Sequence, residues 1–369
     1  MRMASDHPLV LSLDAGGSNF VFSALRDAVP VVAPQRRAVD ITDLEACLAG
    51  IHDGFAAMRD AAGAEPDAIS FAFPGPANYS EGVIYPLANI PAFDRPVALG
   101  PMLEDAFGVQ VYINNDGDLF ALGEARSGLL PEINAALAQR GSARRYHTLV
   151  GLTLGTGLGC GVYADDRLLR GDNDAAAEIW SIVDHLRPGE PVEESVSIRG
   201  LRRRYAEEAG VRREDAPQPR EMYALLREGT RTQRDAASHA FKQYYMSLTE
   251  VIRTCIALFD GVVVLGGGIA GSAAYFLPAI EKNLNAAFPL AGGGSIQRLE
   301  STVYNLSDPA RREAFLQQNS AELQVPGSGR TVRYAAEKRT GLAVATGDTS
   351  EIIMRGAYHF AADRLRARA

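Results

Sequence analysis

Three glycine-rich turns, each following an apolar run of β type, restrict the fold of this chain more than any other feature. They are VLSLDAGGSNF (residues 10–20), LVGLTLGTGLGCGV (residues 149–162) and GVVVLGGGIA (residues 261–270), and an Asn-Asp pair at Asn115-Asp116 lies between the first two. Glycine lets the backbone approach a phosphate and present successive N–H groups to it. The order predicts two phosphate-facing hairpins, a third turn for another part of a nucleotide, and a carboxylate near the transferred group.

Composition narrows the class of protein. The chain has 369 residues, of which 47% are hydrophobic and 22% charged, a balance typical of globular proteins that at this length usually form two domains. The net charge is −8 and the sequence pI is about 5.4, which argues against non-specific nucleic-acid binding because that requires a basic surface. A small anionic substrate is still compatible, since backbone N–H groups can bind it.

The three cysteines, Cys47, Cys160 and Cys255, are widely separated and show no CxxC spacing, so we expect a reducing compartment and no structural zinc site. Residues 261–280 are uncharged and long enough to cross a membrane, but three glycines interrupt them and Pro278 follows. A strand, a turn and a helix explain this stretch better. The first residues lack the long apolar core of a signal peptide, and we expect a cytoplasmic protein without a membrane segment.

Strand and helix signals alternate, which indicates an α/β fold. We expect strands at residues 9–13, 20–25, 68–73, 109–113 and 262–265, a hairpin at 149–162, and helices at 45–62, 116–126, 201–210, 221–259 and 350–368. We place a domain boundary near residue 119. The smaller domain comprises residues 1–119 and the C-terminal helix at about 350–369, and the larger one comprises residues 120–349, with an extra segment at about 286–349.

The first turn contains Asp14, Gly16, Gly17 and Ser18. A backbone nest there could hold a phosphate, and Asp14 could hold Mg²⁺ directly or through water, because hard cations prefer oxygen ligands. The alternative is a tight hairpin in which the Asp caps the turn. Taken alone, this motif favours the hairpin.

The second turn is Gly155-Thr156-Gly157, in which the Thr156 hydroxyl could donate to a phosphate oxygen. It is not a dinucleotide fingerprint, because a β-type run follows where a helix should begin, and it lacks the GK[ST] of a P-loop. The alternative is a plain glycine-rich hairpin.

The third turn contains Gly266, Gly267 and Gly268, after a strand and before a helix. An adenosine could lie flat against it because no side chain blocks the backbone. A close strand–helix crossing explains the same glycines equally well.

Carboxylates supply the remaining candidates. Asp116 lies between a strand and a helix, where an N-cap is the commonest role of Asp. Between two phosphate turns, it could instead be the general base that accepts a sugar hydroxyl proton, with Asn115 binding neighbouring hydroxyls. Glu178, Glu193 and Glu194 could accept hydrogen bonds from sugar hydroxyls or could be ordinary surface charges. The six histidines form no HExxH pattern, no GxSxG is present, and the single Trp180 is explained by a core or a pocket wall.

With these residues in view, the chain resembles the ROK family of the actin/hexokinase-like superfamily. DAGGS is similar to the family's first phosphate motif, LGTGLGCGV to its second, and LGGGI to its adenosine motif. NNDGDLFALGE (residues 114–124) resembles the catalytic segment, which places the base at Asp116. Phe73–Phe93 resembles the sugar loop, with Gly75 and Asn89 as sugar contacts. The resemblance implies a two-domain ribonuclease H-like fold with an interdomain cleft, and ATP and Mg²⁺ as cofactors.

The resemblance also implies that Glu178 and Glu193 bind the sugar. The chain departs from the family pattern at the zinc site, because Ser181 stands where the family has a His and the cysteine cluster is absent. We therefore expect no zinc. The segment at 286–349 has no residue-level match, and no helix-turn-helix is expected before Asp14, which argues against the repressor branch.

The leading hypothesis is an ATP-dependent hexose kinase, with glucose as the first candidate and Asp116 as the base. One rival is a non-catalytic sugar-binding sensor on the same fold, which would keep Glu178 and Glu193 without needing Asp116. Another rival is an actin-like ATPase whose partner is a protein. The resemblance suggests a homodimer, and the residues leave glucose, fructose, mannose, allose and N-acetylated hexosamines open as substrates.

Overall fold

A computed structural model describes residues 7–16, 19–317 and 320–368. Its strands, in chain order, are β1 Val10–Gly16, β2 Asn19–Arg26, β3 Val29–Pro30, β4 Gln35–Ala38, β5 Ala68–Ala72, β6 Ala77–Asn78, β7 Val83–Ile84, β8 Gln110–Asn114, β9 Leu149–Leu154, β10 Leu158–Ala164, β11 Arg167–Leu168, β12 Val262–Gly266, β13 Ala287–Pro289, β14 Ser295–Gln297, β15 Thr302–Asn305, β16 Ser320–Gln324, β17 Thr331–Ala335 and β18 Arg339–Val344.

The α-helices are α1 Leu44–Ala62, α2 Leu99–Phe107, α3 Asp116–Ser127, α4 Leu129–Gln139, α5 Ile198–Ala209, α6 Pro219–Glu228, α7 Arg231–Phe259, α8 Ala273–Leu284, α9 Pro309–Leu316 and α10 Thr349–Arg366. Short 3₁₀ helices lie at Ile179–Ser181, Val192–Glu194, Arg213–Asp215 and Gly268–Ser272. The predicted alternation of strands and helices is confirmed. In the described ranges, every helix is too short or too polar to span a bilayer.

One helix prediction is wrong in its extent. The single helix expected at 221–259 is two helices, α6 and α7, because the chain turns at Gly229 and restarts at Thr230. Thr230 and Gln233 form a reciprocal capping box, which satisfies backbone N–H groups at the new helix start. The helix expected at 201–210 begins earlier, since the Ser197 side chain caps α5.

Backbone contacts divide the chain into two compact units. The first contains the described residues of Met1–Pro131, Gly161–Ala177 and Thr346–Ala369, and the second those of Glu132–Cys160 and Glu178–Ala345. The domain boundaries drawn from the sequence, at residues 119 and 350, stay a prediction.

The sheet of the first unit has the order β3-β2-β1-β5-β8, with β4 also paired to β2. β1 and β2 form the predicted hairpin, whereas β1, β5 and β8 are parallel. One face buries a large core of aromatic and aliphatic side chains with α1 and α2. The opposite face, which carries Val10 and Ala68, packs against Met354 and Tyr358 of α10. The alternating pattern of strand residues therefore places a layer of helix on each face.

Two glycines bring α10 unusually close to α3. A Cβ atom on Gly356 would lie 1.9 Å from the Leu119 carbonyl oxygen, and one on Gly123 would lie 2.2 Å from the Ile352 carbonyl oxygen. Only hydrogen fits between the two backbones at these positions. The crossing fixes the C-terminal helix beside the helix that begins at Asp116.

The second six-stranded sheet has the order β11-β10-β9-β12-β18-β15, in which β9, β12, β18 and β15 run parallel. The 29-residue α7 packs against α5, α6 and α8. The segment expected to be extra contributes β15 and β18 to this sheet and also forms two separate hairpins, β13–β14 and β16–β17. Buried Arg339 donates to the carbonyl oxygens of Ala314 and Gln317, each at 2.6 Å, and so satisfies the end of α9.

Candidate functional site

In the first unit, four predicted site positions lie at one edge of the sheet. Asp14 on β1 stands opposite Ala72 on β5, and Ala72 stands opposite Asn114 on β8. These strands are parallel, so their carboxyl ends meet at the same edge, where ligands of α/β proteins commonly bind. Gly75 follows β5 and Asn115-Asp116 follows β8 directly. The fold therefore brings these residues to the same edge of the sheet, although they are up to about a hundred positions apart in the chain.

Asp14 lies in a partly buried polar cluster. Burial raises the pKa of its carboxyl, as does the neighbouring charge of Asp348, while a hydrogen bond from Ser350 and the charge of Arg36 act in the opposite direction. Asp348 is the N-cap of α10 and accepts from the Ser350 and Glu351 N–H groups. The start of α10 thus faces Asp14. A carboxyl destabilised in its charged form by burial and by a second carboxylate is one that a cation would stabilise.

The remainder of the first turn is only partly described. Gly16 ends β1 and pairs with Asn19 on β2. Gly17 and Ser18, predicted to contact phosphate, lie outside the described residues.

Asp116 is exposed at the first position of α3, and it is not the N-cap. The N-cap is Asn115, whose Oδ1 accepts from the Gly117 N–H at 2.8 Å, so the alternative that gave this role to Asp116 is wrong. Asp116 Oδ1 also accepts from that N–H at 2.8 Å. The two side chains therefore share one backbone donor, which holds the Asp116 carboxylate at the N-terminus of α3.

The sugar-loop residues lie on the surface of the first unit. Gly75 is exposed, and a Cβ there would come within 3.0 Å of the Tyr79 hydroxyl, which donates to the Phe73 carbonyl. Asn89 is exposed in a bend whose ends are joined by a hydrogen bond from the Leu87 N–H to the Phe93 carbonyl. The role of Gly75 and Asn89 in binding a sugar stays a prediction.

In the second unit, the second glycine turn is joined to the segment that carries Glu193. The Ile198 N–H donates to the Gly155 carbonyl at 2.8 Å, and the Leu158 N–H donates to Glu193 Oε2 at 2.9 Å. Arg199 donates to Glu193 Oε1 at 2.6 Å and to the Thr156 carbonyl at 3.3 Å. Glu193 is therefore held from both sides, yet each carboxylate oxygen keeps a second lone pair for another donor.

The glycines of this turn have different surroundings. A Cβ on Gly155 would meet nothing within 4 Å, whereas one on Gly157 would lie 2.6 Å from Glu193 Oε2. The space beside Gly155 is thus open to an approaching ligand, although the Gly155 N–H already donates to the Gly157 carbonyl at 3.1 Å. At Gly157 the same space is already filled by the side chain of Glu193, the residue predicted to bind the sugar.

The third turn lies beside the second. Gly266 ends β12 opposite Thr153 on β9, and Gly267 has φ +86°, a value that favours glycine. A Cβ on Gly267 would lie 2.5 Å from the Leu154 carbonyl oxygen, one residue before Gly155, while nothing lies within 4 Å of the same position on Gly268. The close approach at Gly267 is thus to the end of β9 and not to a helix, so the strand–helix crossing weighed as the alternative is not the contact found at this glycine, and Gly268 presents open backbone.

Glu178 and Glu193 are electrostatic neighbours. Partial burial raises the pKa of Glu178, the charge of Glu193 raises it further, and a hydrogen bond from the Trp180 indole N–H lowers it. The solvent-accessible surface of Glu178 is nevertheless large, so the carboxylate has protein beside it and an open side. Ser181, at the position of the family's histidine, donates to the Glu178 carbonyl at 3.0 Å. Ser181 therefore stabilises the turn rather than offering its hydroxyl outward.

The residues of the candidate site fit a nucleotide better than they fit a metal ion held by protein side chains alone. Open backbone at Gly155 and Gly268 suits a nucleotide, since both positions offer space that a side chain would occupy. In the described part of the chain, no group of three or more His, Cys, Asp and Glu side chains forms a ready metal site. A magnesium ion at Asp14 would therefore take its other ligands from phosphate oxygens and water, as this ion commonly does.

Three residues that contact the candidate site or its supporting loop, Asp184, Arg199 and Trp180, were missed or underrated in the sequence. Asp184 is fully buried, accepts from Ser247 at 2.9 Å and from Ser195, and lies 3.6 Å from Arg204. This cluster anchors the chain between Glu178 and Glu193. Arg199 and Trp180 contact Glu193 and Glu178 respectively, and only their nearness along the chain could have indicated those contacts.

Comparison with known proteins finds relatives that share the overall fold. A glucokinase from Parabacteroides distasonis has a solved structure 41% identical in sequence, with a TM-score of 0.84 over 98% of this chain and 99% of that one. A glucokinase from Halalkalibacterium halodurans is 28% identical over 250 residues, 63% of this chain and 70% of its own. A ROK family glucokinase from Streptomyces griseus, solved with glucose and AMPPNP, is 18% identical, with a TM-score of 0.61 over 95% of this chain and 98% of that one.

The solved structures confirm the predicted α/β fold of the actin/hexokinase-like class. The model of the ROK family matches residues 10–290, which is well over half of the sequence. Together with the glycine turns and the Asn-Asp pair in their expected order, this match establishes that the chain belongs to the ROK family.

Proposed function

We propose that this protein is an ATP-dependent sugar kinase that transfers the γ-phosphoryl group of ATP to a hydroxyl of a hexose, with glucose as the first candidate and the 6-hydroxyl as the acceptor. The observation that carries the proposal is the position of Asp116. It is an exposed carboxylate at the start of α3, on the sheet edge that also carries Asp14. Relatives named as glucokinases support the choice of sugar.

Asp116 is the proposed general base. Phosphoryl transfer needs a nucleophilic oxygen placed in line with the γ-phosphorus, and a carboxylate that accepts the hydroxyl proton in the transition state. The Gly117 N–H holds one oxygen of Asp116 and leaves the carboxylate rotationally restricted. Asn115 uses its Oδ1 as the helix cap, so its contact with a sugar hydroxyl would be made through the Nδ2 amide.

Glu178 and Glu193 are the proposed acceptors for other sugar hydroxyls, together with contacts at Gly75 and Asn89. Glu193 is held by the Leu158 N–H and by Arg199, so its orientation exists before any sugar arrives. Such preorganisation reduces the entropy lost on binding. Leu158 directly follows the second glycine turn. The hydrogen bond from its N–H therefore joins Glu193, a proposed sugar-binding residue, to the turn proposed for the ATP phosphates.

The ATP site is proposed at the three glycine turns. Residues Gly16, Gly17, Ser18, Gly155, Thr156 and Gly157 would receive the phosphates, and Gly266, Gly267 and Gly268 would receive the adenosine. Mg²⁺, bound with the participation of Asp14, would neutralise phosphate charge. Asp14 itself would become fully ionised on binding the ion, since a nearby cation reverses the burial effect that raises its pKa.

The test is a coupled assay of ADP production with ATP and a panel of glucose, fructose, mannose, allose and N-acetylglucosamine. Asp116→Asn is expected to lower kcat by about 10²–10⁴-fold, the usual contribution of general-base catalysis, with the KM for ATP changed little. Glu45→Gln is the matched control, because Glu45 is an exposed acid in the first turn of α1. A variant Asp116→Asn that keeps more than a tenth of the wild-type kcat would refute the assignment.

The same panel separates the rival functions. Sugar binding by calorimetry without turnover of any hexose would identify a sensor, and sugar-independent ATP hydrolysis would identify an ATPase of the actin type. Both outcomes would contradict the proposed kinase.

A further inference from the structure

Trp180 is an exposed aromatic side chain beside Glu178, a residue proposed to bind the sugar. It lies in the 3₁₀ turn Ile179–Ser181, where Ile179 is buried and Trp180 is 42% exposed. Its indole N–H donates to Glu178 Oε2. Since Ile179 anchors the turn in the core, the fold does not need the large apolar surface of Trp180 at this place.

The turn around Trp180 is well determined by hydrogen bonds. The Ser181 hydroxyl donates to the Glu178 carbonyl at 3.0 Å, and the Ile182 N–H donates to the Ile179 carbonyl at 3.2 Å. The indole N–H is satisfied by the Glu178 carboxylate, so the polar edge of the ring faces that residue and the ring faces remain for other contacts. The side chain is thus held in place while a considerable part of it stays open to solvent.

The local chemistry matches one ligand class. A pyranose has hydroxyl groups around its rim and a face of C–H groups, and sites for such small molecules combine a few polar groups with aromatic surface. Glu178 and Glu193 provide acceptors for the rim. Trp180 is the only Phe, Tyr or Trp among residues 178–193.

We propose that Trp180 is a sugar-binding residue, whose ring packs against the apolar C–H face of the hexose and whose indole N–H orients the Glu178 carboxylate toward a sugar hydroxyl. This inference rests on the proposed function and extends it to a residue that also affects which sugar is accepted. A sugar with an axial hydroxyl on the packed face would lose contact with the ring. Trp180 would therefore favour sugars with a flat apolar face.

The chain offers a direct probe, because Trp180 is its only tryptophan. Titration of the wild-type protein with glucose, without ATP, is expected to change the tryptophan emission in a saturable manner, with a Kd equal to the calorimetric one. The variant Trp180→Ala is expected to raise the KM for the preferred hexose at least tenfold, with the KM for ATP changed less than twofold. Trp180→Phe keeps a ring but loses the N–H donor, so an intermediate KM is expected.

Two controls separate binding from folding. Tyr334→Ala removes an aromatic side chain of similar exposure, 43%, on β17 and is expected to leave both KM values unchanged. Thermal unfolding of Trp180→Ala followed by circular dichroism is expected to coincide with wild type. Partial recovery in Trp180→Phe is a result that a purely structural role at an exposed position would not produce.

The outcomes distinguish this inference from the proposed function. If a hexose is phosphorylated and Trp180→Ala keeps the wild-type KM for it, the role of Trp180 is refuted and the kinase stands. If no hexose is phosphorylated, the kinase is refuted, and calorimetry with the same sugars decides the role of Trp180. Sugar binding that is lost in Trp180→Ala supports it, whereas sugar binding that is retained, or no binding even by wild type, overturns it.

Discussion

Replacement of Asp184 by alanine tests how the second unit holds Glu178 and Glu193, the carboxylates proposed to bind the sugar. The side chain is fully buried on the stretch between Glu178 and Glu193. It accepts hydrogen bonds from the Ser247 hydroxyl on α7 at 2.9 Å, from the Leu186 N–H at 3.1 Å and from the Ser195 hydroxyl. The stretch is itself closed by a 2.7 Å bond from the Val192 N–H to the Ile182 carbonyl. The buried Asp184 carboxylate thus joins the loop between Ile182 and Val192 to α7.

The magnitude follows from what the substitution leaves behind. Arg204 on α5 is 5% exposed, lies 3.6 Å from Asp184 and donates to the Ser195 hydroxyl at 2.5 Å. Burial lowers the pKa of this arginine and the charge of Asp184 raises it, so removal of Asp184 would leave a buried cation without this counter-charge. Removing one partner of a buried pair usually costs about 3–5 kcal/mol. We expect Asp184→Ala to lower the free energy of unfolding of this unit by about 4 kcal/mol, and Ser247→Ala to lower it by about 1–2 kcal/mol.

The assay is urea unfolding followed by the emission of Trp180, which lies at one end of the same stretch. If the reasoning is correct, Asp184→Ala lowers the urea midpoint strongly and also raises the KM for the hexose, because Glu178 and Glu193 lose their common support. Replacing both charges, as in Asp184→Leu with Arg204→Met, is expected to recover part of the stability since no buried charge is left unpaired. A stability loss below about 1 kcal/mol in Asp184→Ala would refute the argument.

Three further predictions concern single positions. Gly356→Ala is expected to destabilise the first unit by about 3 kcal/mol in thermal or chemical unfolding, because its methyl group would lie 1.9 Å from the Leu119 carbonyl oxygen. Burial lowers the pKa of His359 to about 4, so its contribution to stability is complete above pH 6.5 and declines as the pH falls toward 4. Unfolding at pH 8 and pH 5 is expected to show a loss of about 2 kcal/mol from this residue that His359→Gln abolishes. Gly157→Ala is expected to raise the KM for the hexose as well as that for ATP, since its methyl group would displace Glu193.

Each of these three substitutions has a matched control variant. Gly50→Ala in α1 places a methyl group near only the Val39 side chain, at 3.0 Å, and is expected to change stability by less than about 1 kcal/mol. His52→Gln removes an exposed histidine and is expected to leave the pH dependence due to His359 in place. Gly155→Ala adds a methyl group to open space and is expected to raise the KM for ATP alone. Equal effects in a variant and its comparison would contradict the corresponding prediction.

Local signals were enough to predict many of the strands and helices. The hairpin at the first turn, the strands before each glycine turn and the helix that begins at Asp116 follow from runs of apolar residues and from where glycine or Asn-Asp interrupts them. The break between α6 and α7 was also readable, since Gly229, Thr230 and Gln233 form a stop signal followed by a capping box. The break was not predicted because the apolar residues of α6 and α7 read as one long helical pattern at residues 221–259.

The supports of the site could not be predicted, because they depend on contacts between residues far apart in the chain. Asp184 meets Ser247 across 63 positions, and no spacing rule connects a loop carboxylate to a hydroxyl in the middle of a distant helix. The capping role of Asn115 was missed for a different reason. Adjacent Asn and Asp are almost equally good N-caps, so only the backbone conformation decides which of the two takes the position.

The glycine turns show why a motif does not reveal the task of each residue within it. Gly155 and Gly268 face open space, so packing does not require their lack of a side chain, whereas the proposed nucleotide binding would use it. Gly157 and Gly267 face the Glu193 carboxylate and the Leu154 backbone, so their lack of a side chain already serves packing. The two explanations weighed for these motifs, ligand binding and close packing, are therefore not exclusive. Under the proposed function, nearby glycines divide the two tasks: Gly157 and Gly267 pack against Glu193 and Leu154, and Gly155 and Gly268 leave space for the nucleotide.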